Sequence, residues 1–209
     1  FISGKDSLHN SVMIGRKEVE VLDTLLISAI RVIEDINKAV TMDLKEEGNI
    51  IYVVGKTYEE LGGSHYYELL AAKNREQNAE VSGEVPKVKA EEAKKGFQSV
   101  QEAIEKQLVR SCHDLSEGGI AIAAAEMAFS GNIGLQLSLS KVPYEGEQRD
   151  DFVLFSESQS RLLLEVKPEG KDEFEKVMRQ YGCAFAEIGK TTAEEKLETW
   201  PHLVVREYL

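Results

Sequence analysis

Nearly every residue from Gly119 to Phe129 is apolar: Ile120, Ala121, Ile122, Ala123, Ala124, Ala125, Met127, Ala128 and Phe129 follow one another with a single interruption. A helix that is apolar around most of its circumference has no broad face to give to water, so neighbouring layers must cover it on most sides. The chain is long enough to supply those layers, since 209 residues can bury roughly 70% of the surface that the unfolded form exposes. This helix is the expected centre of the core.

The flanking patterns supply strands and further helices. Asn49 to Thr57 is the clearest strand, entered through Glu47-Gly48, and Gly62-Gly63-Ser64 leads from it into a helical run from His65 to Lys73. Glu91 to Arg110 places Phe97, Val100, Ile104 and Leu108 three or four residues apart, the mark of an amphipathic helix, and Ser111 to Leu115 follows as a short strand. Ile133 to Ser140 alternates Leu135, Leu137 and Leu139 with Gln136, Ser138 and Ser140, as a half-buried strand does. Phe152 to Phe155 and Arg161 to Val166 read as two strands around the polar loop Ser156 to Ser160. Asp172 to Tyr181 is helical, Ala184 to Lys190 a strand and Leu203 to Val205 a terminal strand. Strands and helices alternate without an internal repeat, which makes the class α/β or α+β.

Towards the N-terminus, Phe1 to Val19 is polar and marked by Gly4 and Gly15, whereas Val21 to Val40 is densely apolar through Leu25, Leu26, Ile27, Ile30, Val32 and Ile33. The second stretch is expected in the core, as a strand over Thr24 to Val32 with helix the alternative, then a turn or short helix at Asp35 to Lys38. The chain opens on Phe1-Ile2-Ser3-Gly4 without an initiator Met, at what reads as the end of a strand, so a piece of something longer is expected. Asn74 to Ala90 is polar and aperiodic, with Gly83 and Pro86, and reads as a long loop of the functional or mobile kind.

Charge and cysteine usage exclude several classes. With 25 Lys and Arg against 37 Asp and Glu the net charge is −12, and no local basic stripe offsets it, which argues against nucleic acid or an anionic membrane as partner. Cys112 and Cys183 stand outside any CxxC spacing, so neither a disulfide framework nor a zinc site is suggested and a cytoplasmic location fits best. No stretch approaches the ~20 apolar residues of a membrane span.

Four polar stretches could carry chemistry. In Cys112-His113-Asp114-Leu115-Ser116-Glu117-Gly118-Gly119, a strand end passes through two glycines into the apolar helix. Free N–H groups at that helix start could hold a phosphate or carboxylate, with glycine giving the ligand access, while Ser116 serves equally well as a plain N-cap. Cys112 and His113 are neighbours on a strand and point to opposite faces, which rules out a Cys-His nucleophile pair. Asp114 offers one hard oxygen to a magnesium ion, alone a weak signal. Leu61-Gly62-Gly63-Ser64-His65 repeats the glycine pair before a helix, with capping by Ser64 the plainer reading. Gly4-Lys5-Asp6-Ser7 has the parts of a nucleotide site, with glycine for access, Lys5 for phosphate, Asp6 for magnesium and Ser7 for a hydrogen bond. It departs from GxxxxGK[ST], and a polar turn is the alternative. Ser156-Glu157-Ser158-Gln159-Ser160-Arg161 could bond a hydroxyl-rich small molecule or be a solvated hairpin loop. Asp150-Asp151 and Glu91-Glu92 read as solvated charge, and His202 stays unassigned.

Taken in order, Ser3 to Asn10, Lys38-Ala39-Val40-Thr41, Leu61 to Ser64, His113 to Gly119 and Ser156 to Arg161 resemble the phosphoribosylformylglycinamidine synthase family over essentially the whole chain. More narrowly, the chain resembles the C-terminal part of the second half of that family's synthetase chain. Residues 1–19 would then be the tail of a preceding nucleotide-binding domain. Residues 20–209 would be a C-terminal-type domain like that of aminoimidazole ribonucleotide synthetase, a mixed sheet with helices on both faces.

The resemblance implies an ATP- and magnesium-dependent ligase step of purine biosynthesis. The amide oxygen of formylglycinamide ribonucleotide is phosphorylated and displaced by ammonia from a glutaminase subunit. The implied partners are that subunit, a small accessory subunit and the upstream half of the same polypeptide, with a homodimer of the fragment a further possibility. By this likeness Gly4 contacts ATP, Lys5 or Asp6 takes the metal-contacting position, and Ser7 touches substrate across a domain interface. Relatives often carry Gly-Asn-x-Ser there, which leaves the metal position open between Lys5 and Asp6. Asp114, Ser116, Gly118, Gly119, Glu157, Ser158 and Gln159 match motifs that bind substrate and magnesium in the family's first half. Here they fall in the second, pseudo-symmetric copy, an auxiliary nucleotide site or a structural vestige. The family's catalytic histidine lies upstream of Phe1, so the chain alone is expected to be inactive. Two other readings remain: a related enzyme such as aminoimidazole ribonucleotide or selenophosphate synthetase, and a non-catalytic docking or dimerisation domain using the apolar strands near Leu25 and Ile51.

Overall fold

A computed structural model describes residues 1–7, 10–20, 24–73, 83–146, 149–194, 196–200 and 203–206, with the side chains of Asp6, Ser7, Thr24, Trp200 and 203–206 outside that description. The described chain divides into two compact units, Phe1–Asn37 and Lys38–Leu209.

In the first unit β1 (Ser3–Ser7) pairs antiparallel with β4 (Thr24–Ser28), and β2 (Ser11–Ile14) with β3 (Lys17–Glu20). Gly15 makes the β2–β3 turn at φ +67°, a conformation that an L side chain resists. The expected strand after Thr24 is there but ends at Ser28, and the expected short helix is a 3₁₀ turn over Ile36–Lys38. One expectation fails: Leu25, Leu26, Ile27, Ile30, Val32 and Ile33 are 56–84% exposed rather than core. β4 has β1 as its partner in a two-stranded sheet, and such a ribbon has no second layer of its own to bury either face.

The second unit is built on a mixed seven-stranded sheet. Its elements in order are β5 (Ile50–Val54), β6 (Thr57–Tyr58), α1 (His65–Lys73), α2 (Ala90–Glu105), β7 (Val109–Asp114), α3 (Gly119–Gly131), β8 (Gly134–Ser138), β9 (Tyr144–Glu145), α4 (Asp150–Phe155), β10 (Leu162–Val166), α5 (Lys171–Tyr181), β11 (Phe185–Thr192), β12 (Lys196–Trp200) and β13 (Leu203–Arg206). The sheet order is β13-β12-β8-β11-β5-β10-β7, antiparallel except for the β12–β8 pair, while β6 and β9 form a separate short parallel pair. The side-chain alternation of β5 sorts the two layers. Ile51 and Val53 pack with Ile120, Ala124 and Met127 of α3 and Val153 and Leu154 of α4. Tyr52 and Val54 pack with Val100 and Ala103 of α2 and Phe174, Val177 and Met178 of α5. Helices therefore cover both faces, as the mixed α/β expectation has it.

Two readings change. Phe152 to Phe155 is helix, not strand: Asp150 and Asp151 sit in the favourable first turn of α4, and Phe152, Val153 and Leu154 are buried in succession, a run that periodicity cannot separate from a buried strand. α3 buries Ile120, Ala123, Ala124, Met127 and Ala128 and leaves Ile122 and Phe129 about half exposed, so it is covered on most but not all of its circumference. Ile51, named as part of a docking strand, is fully buried in the middle of the sheet. The strand β12 carried no recognised sequence signal. Of the expected loop from Asn74, residues 74–82 lie outside the described residues, as does His202.

The deepest polar feature fastens the start of this unit to the sheet. Glu165, fully buried on β10, accepts hydrogen bonds from the N–H groups of Lys45 (3.0 Å) and Glu46 (3.2 Å), from Asn49 Nδ2 (2.6 Å) and from Ser111 Oγ (2.9 Å). Four donors with no cation satisfy a buried carboxylate and so fix residues 45–49 on β7 and β10.

Candidate functional site

Three of the four polar stretches converge in the second unit. Strand β10 begins at Leu162, and the loop before it turns back through Ser160, whose φ of +64° is unusual outside glycine. Arg161 anchors that loop from inside. Its side chain is 1% exposed, and its guanidinium donates to Ser158 O (2.9 Å), Ser156 O (2.6 Å) and Thr57 Oγ1 (2.8 Å). Burial pushes its pKa down to about 10, opposed by the nearby carboxylates of Glu60 and Glu157, so it stays protonated at neutral pH. The Ser158 hydroxyl is buried too, accepting from Tyr58 N–H at 3.0 Å. Gly55, at φ +100°, lies against the loop so closely that a Cβ there would stand 2.9 Å from Arg161 Cγ and 3.2 Å from Ser160 O.

Glu157 joins this loop to both glycine turns. Its Oε1 accepts from Gly118 N–H at 2.9 Å and from His65 N–H at 3.3 Å, and its own N–H donates to Glu60 O at 3.2 Å. The N–H of Gly118 is therefore taken by a protein carboxylate, which corrects the expectation of free groups there. Gly119 is closed as well: with φ +63°, a Cβ on it would meet Ser156 O at 2.5 Å. At Gly62 the crowding atom is Gly83 O, at 2.2 Å from a built Cβ. These two glycines admit neighbouring backbone, whereas Gly63, at φ +75°, faces open space.

The remaining predicted residues fall around this junction. Ser64 caps α1, accepting from Tyr67 N–H at 3.2 Å. Ser116 does not cap α3: the N-cap is Gly118 at φ +75°, and the Ser116 hydroxyl donates instead to Asp114 Oδ2. That bond, with help from His113, holds the Asp114 carboxyl below its usual range despite some burial. His113 bridges Asp114 (Nδ1, 3.1 Å) and Glu126 (Nε2, 3.0 Å), on the face opposite Cys112, which packs beside the α2/α5 core. Gln159 is exposed and lines a cleft with Gly55, Lys56, Tyr58, Lys87 and Lys89. Lys56 is paired with Glu145, Lys87 with Glu84 and the Tyr58 hydroxyl with Glu92, while the Lys89 ammonium lies over the Tyr58 ring. Among the described residues no three His, Cys, Asp or Glu side chains gather as a metal shell.

Gly4-Lys5-Asp6-Ser7 lies in the first unit and is strand rather than turn: Gly4 stands opposite Ile27 and Lys5 opposite Leu26 in the β1–β4 pair. Space above Gly4 is open, the nearest atom to a built Cβ being Leu26 O at 4.0 Å. The Asp6 and Ser7 side chains, as well as Leu8 and His9 of the same motif, lie outside the described residues. Sequence reasoning missed Gly55, Thr57 and Glu60 as parts of the junction, and placed Arg161 in the polar loop without its role as the buried anchor. The one usable signal was Arg161, a charge set directly against the apolar run Leu162-Leu163-Leu164.

The pattern of the family described as AIR synthase related protein, C-terminal domain, matches residues 46–200. The chain belongs to this family. Among curated relatives of this AIR synthase-related chain are the phosphoribosylformylglycinamidine synthase subunit PurL of Alkaliphilus metalliredigens, 34% identical over 207 residues, and that of Methanocaldococcus jannaschii, 37% over 191. These alignments cover 99% and 90% of the chain but 26% and 24% of the relatives, so the chain spans about a quarter of their length. Solved structures with the same fold include Thermotoga maritima PurL complexed with FGAR, at TM-score 0.66 and 22% identity over 82% of this chain and 28% of that one. The PurLQS structure from T. maritima follows at TM-score 0.64 and 20% identity, covering 83% and 27%. Among the described residues no helix is long and apolar enough to cross a membrane.

Proposed function

We propose that this chain is the C-terminal part of a phosphoribosylformylglycinamidine synthase synthetase subunit, contributing to the ATP-dependent amidation of formylglycinamide ribonucleotide in the cytoplasm. The observation that carries the reading is an alignment with PurL over 99% of the chain at 34% identity. In this reading residues 1–19 are the tail of a preceding nucleotide-binding domain and residues 20–209 the C-terminal-type domain. The upstream half of the polypeptide then covers the bare apolar residues of β4, Leu25, Leu26 and Ile27. A glutaminase and a small accessory subunit are the further partners, the former supplying ammonia.

Gly4 and Lys5 are assigned to ATP, Asp6 to the metal and Ser7 to the substrate. Magnesium there would neutralise phosphate charge during transfer. Lys5 adds a point charge for a phosphate oxygen, and the open backbone at Gly4 permits close approach. The second-unit residues Asp114, Ser116, Gly118, Gly119, Glu157, Ser158 and Gln159 do not fit an open phosphate cradle as they stand. Their N–H groups and glycine spaces are largely filled by protein, so this copy of the site is assigned a structural role. A docking or dimerisation role is disfavoured by the burial of Ile51.

The test is ADP release on addition of formylglycinamide ribonucleotide and ammonia. The 209-residue chain alone is expected to be inactive, and the chain extended upstream to the length of its relatives is expected to be active. In the extended protein, Lys5→Ala is expected to lower the rate at least ~10-fold. Turnover by the chain alone, or a silent Lys5→Ala, would refute the assignment.

A further inference from the structure

The Ser156–Arg161 loop reaches two helix starts through one side chain. Glu157 Oε1 is the acceptor for both Gly118 N–H, at the N-cap of α3, and His65 N–H, at the first residue of α1. α3 has no side-chain cap from its own turn, so this carboxylate, arriving from a distant part of the sequence, fills that place. The loop behind it is fixed on every side. Arg161 holds the carbonyls of Ser156 and Ser158, Ser158 Oγ holds Tyr58 N–H, Glu157 N–H holds Glu60 O, and Ser156 O presses against Gly119. A carboxylate on so rigid a support cannot follow one turn without leaving the other.

We propose that Glu157 is a latch, a single carboxylate oxygen that holds the starts of α1 and α3 together so that the Gly62-Gly63 and Gly118-Gly119 turns open and close as one unit. The same two turns also meet at their surface, where His65 Nε2 stands 3.5 Å from Glu117, but there both side chains are exposed, and the backbone link is the one made by Glu157. The inference rests on geometry within the second unit alone.

Amide hydrogen exchange, followed by NMR on the full 209-residue chain, tests it without any activity assay. In Glu157→Ala the amides of Gly118 and His65 are expected to exchange about tenfold faster or more, by similar factors, while those of Tyr52 and Leu164 in the sheet keep their wild-type rates. Glu157→Asp keeps the charge but withdraws the oxygen by about 1.5 Å, one C–C bond, and is expected to accelerate the same two amides together. Acceleration of one amide alone, or of neither, overturns the latch. If the alanine variant loses protection throughout the sheet, the aspartate variant decides by the same two outcomes.

Discussion

Removing the Glu165 carboxylate should be among the most damaging single changes in the second unit. In Glu165→Ala the Asn49 amide and the Ser111 hydroxyl, 3% and 0% exposed, lose their acceptor, and so do the backbone N–H groups of Lys45 and Glu46. A buried donor left unpaired costs about 1–3 kcal/mol. The two fully buried donors alone therefore give roughly 2–6 kcal/mol, and a value near ~4 kcal/mol is expected because Ser111 can rotate its hydroxyl elsewhere. That is a large part of the roughly 5–15 kcal/mol that holds a domain folded. In urea, with a slope of about 2 kcal/mol per M, the midpoint read by circular dichroism should fall by ~2 M at unchanged slope. Glu165→Gln keeps one acceptor oxygen but turns an NH₂ group towards donors, and about half of that loss is expected. A midpoint within ~0.3 M of wild type for the alanine variant would refute the argument that this carboxylate pins residues 45–49 to the sheet.

Two further outcomes follow from the same structure. Gly119→Ala, with its Cβ driven to 2.5 Å from Ser156 O, should cost about 3 kcal/mol, whereas Gly63→Ala, equally left-handed but in open space, should cost ~1 kcal/mol; equal losses in thermal melts would show that the loop yields freely. Burial pushes the Cys112 thiol from 9.0 up to about 12, and burial with the Glu92 carboxylate lifts the Tyr58 hydroxyl from 10.0 to about 12. Both groups hold their protons more tightly when folded, so their contribution is complete below pH 9 and is lost as pH rises towards 12. Urea midpoints should accordingly fall between pH 9 and 11, and Cys112 should react slowly with thiol reagents at pH 8; a flat profile with fast labelling would contradict the burial assigned to these groups.

Much of the fold could be read from local pattern because local pattern is where the constraint lies. The amphipathic spacing of Val100 and Ile104 places α2, the alternation of Leu135 and Leu137 places β8, and the apolar run after Gly119 places α3 against the sheet. Where two structures bury the same residues, pattern fails. Phe152 to Leu154 suits a buried strand as well as the helix that packs on α3, and only the neighbouring layer chooses between them. The same limit explains Leu25 to Ile33, where apolar composition reports a need for burial but not which surface meets it.

The candidate site divides along the same line. Residue types at 61–65, 113–119 and 156–161 mark three polar turns, the first two bearing glycine pairs, and each is visible in the sequence because glycine and short polar side chains serve non-repetitive backbone. Whether their N–H groups face a ligand or one another depends on contacts between segments far apart in the chain. Only the tertiary structure brings Glu157 to Gly118 and His65, buries Arg161 beneath the loop, and sets Ser156 O where a side chain on Gly119 would stand. The sequence determined which backbone turns this protein can form, because φ preferences are local. The tertiary structure decided what fills them, because a buried donor must find its acceptor wherever the fold provides one.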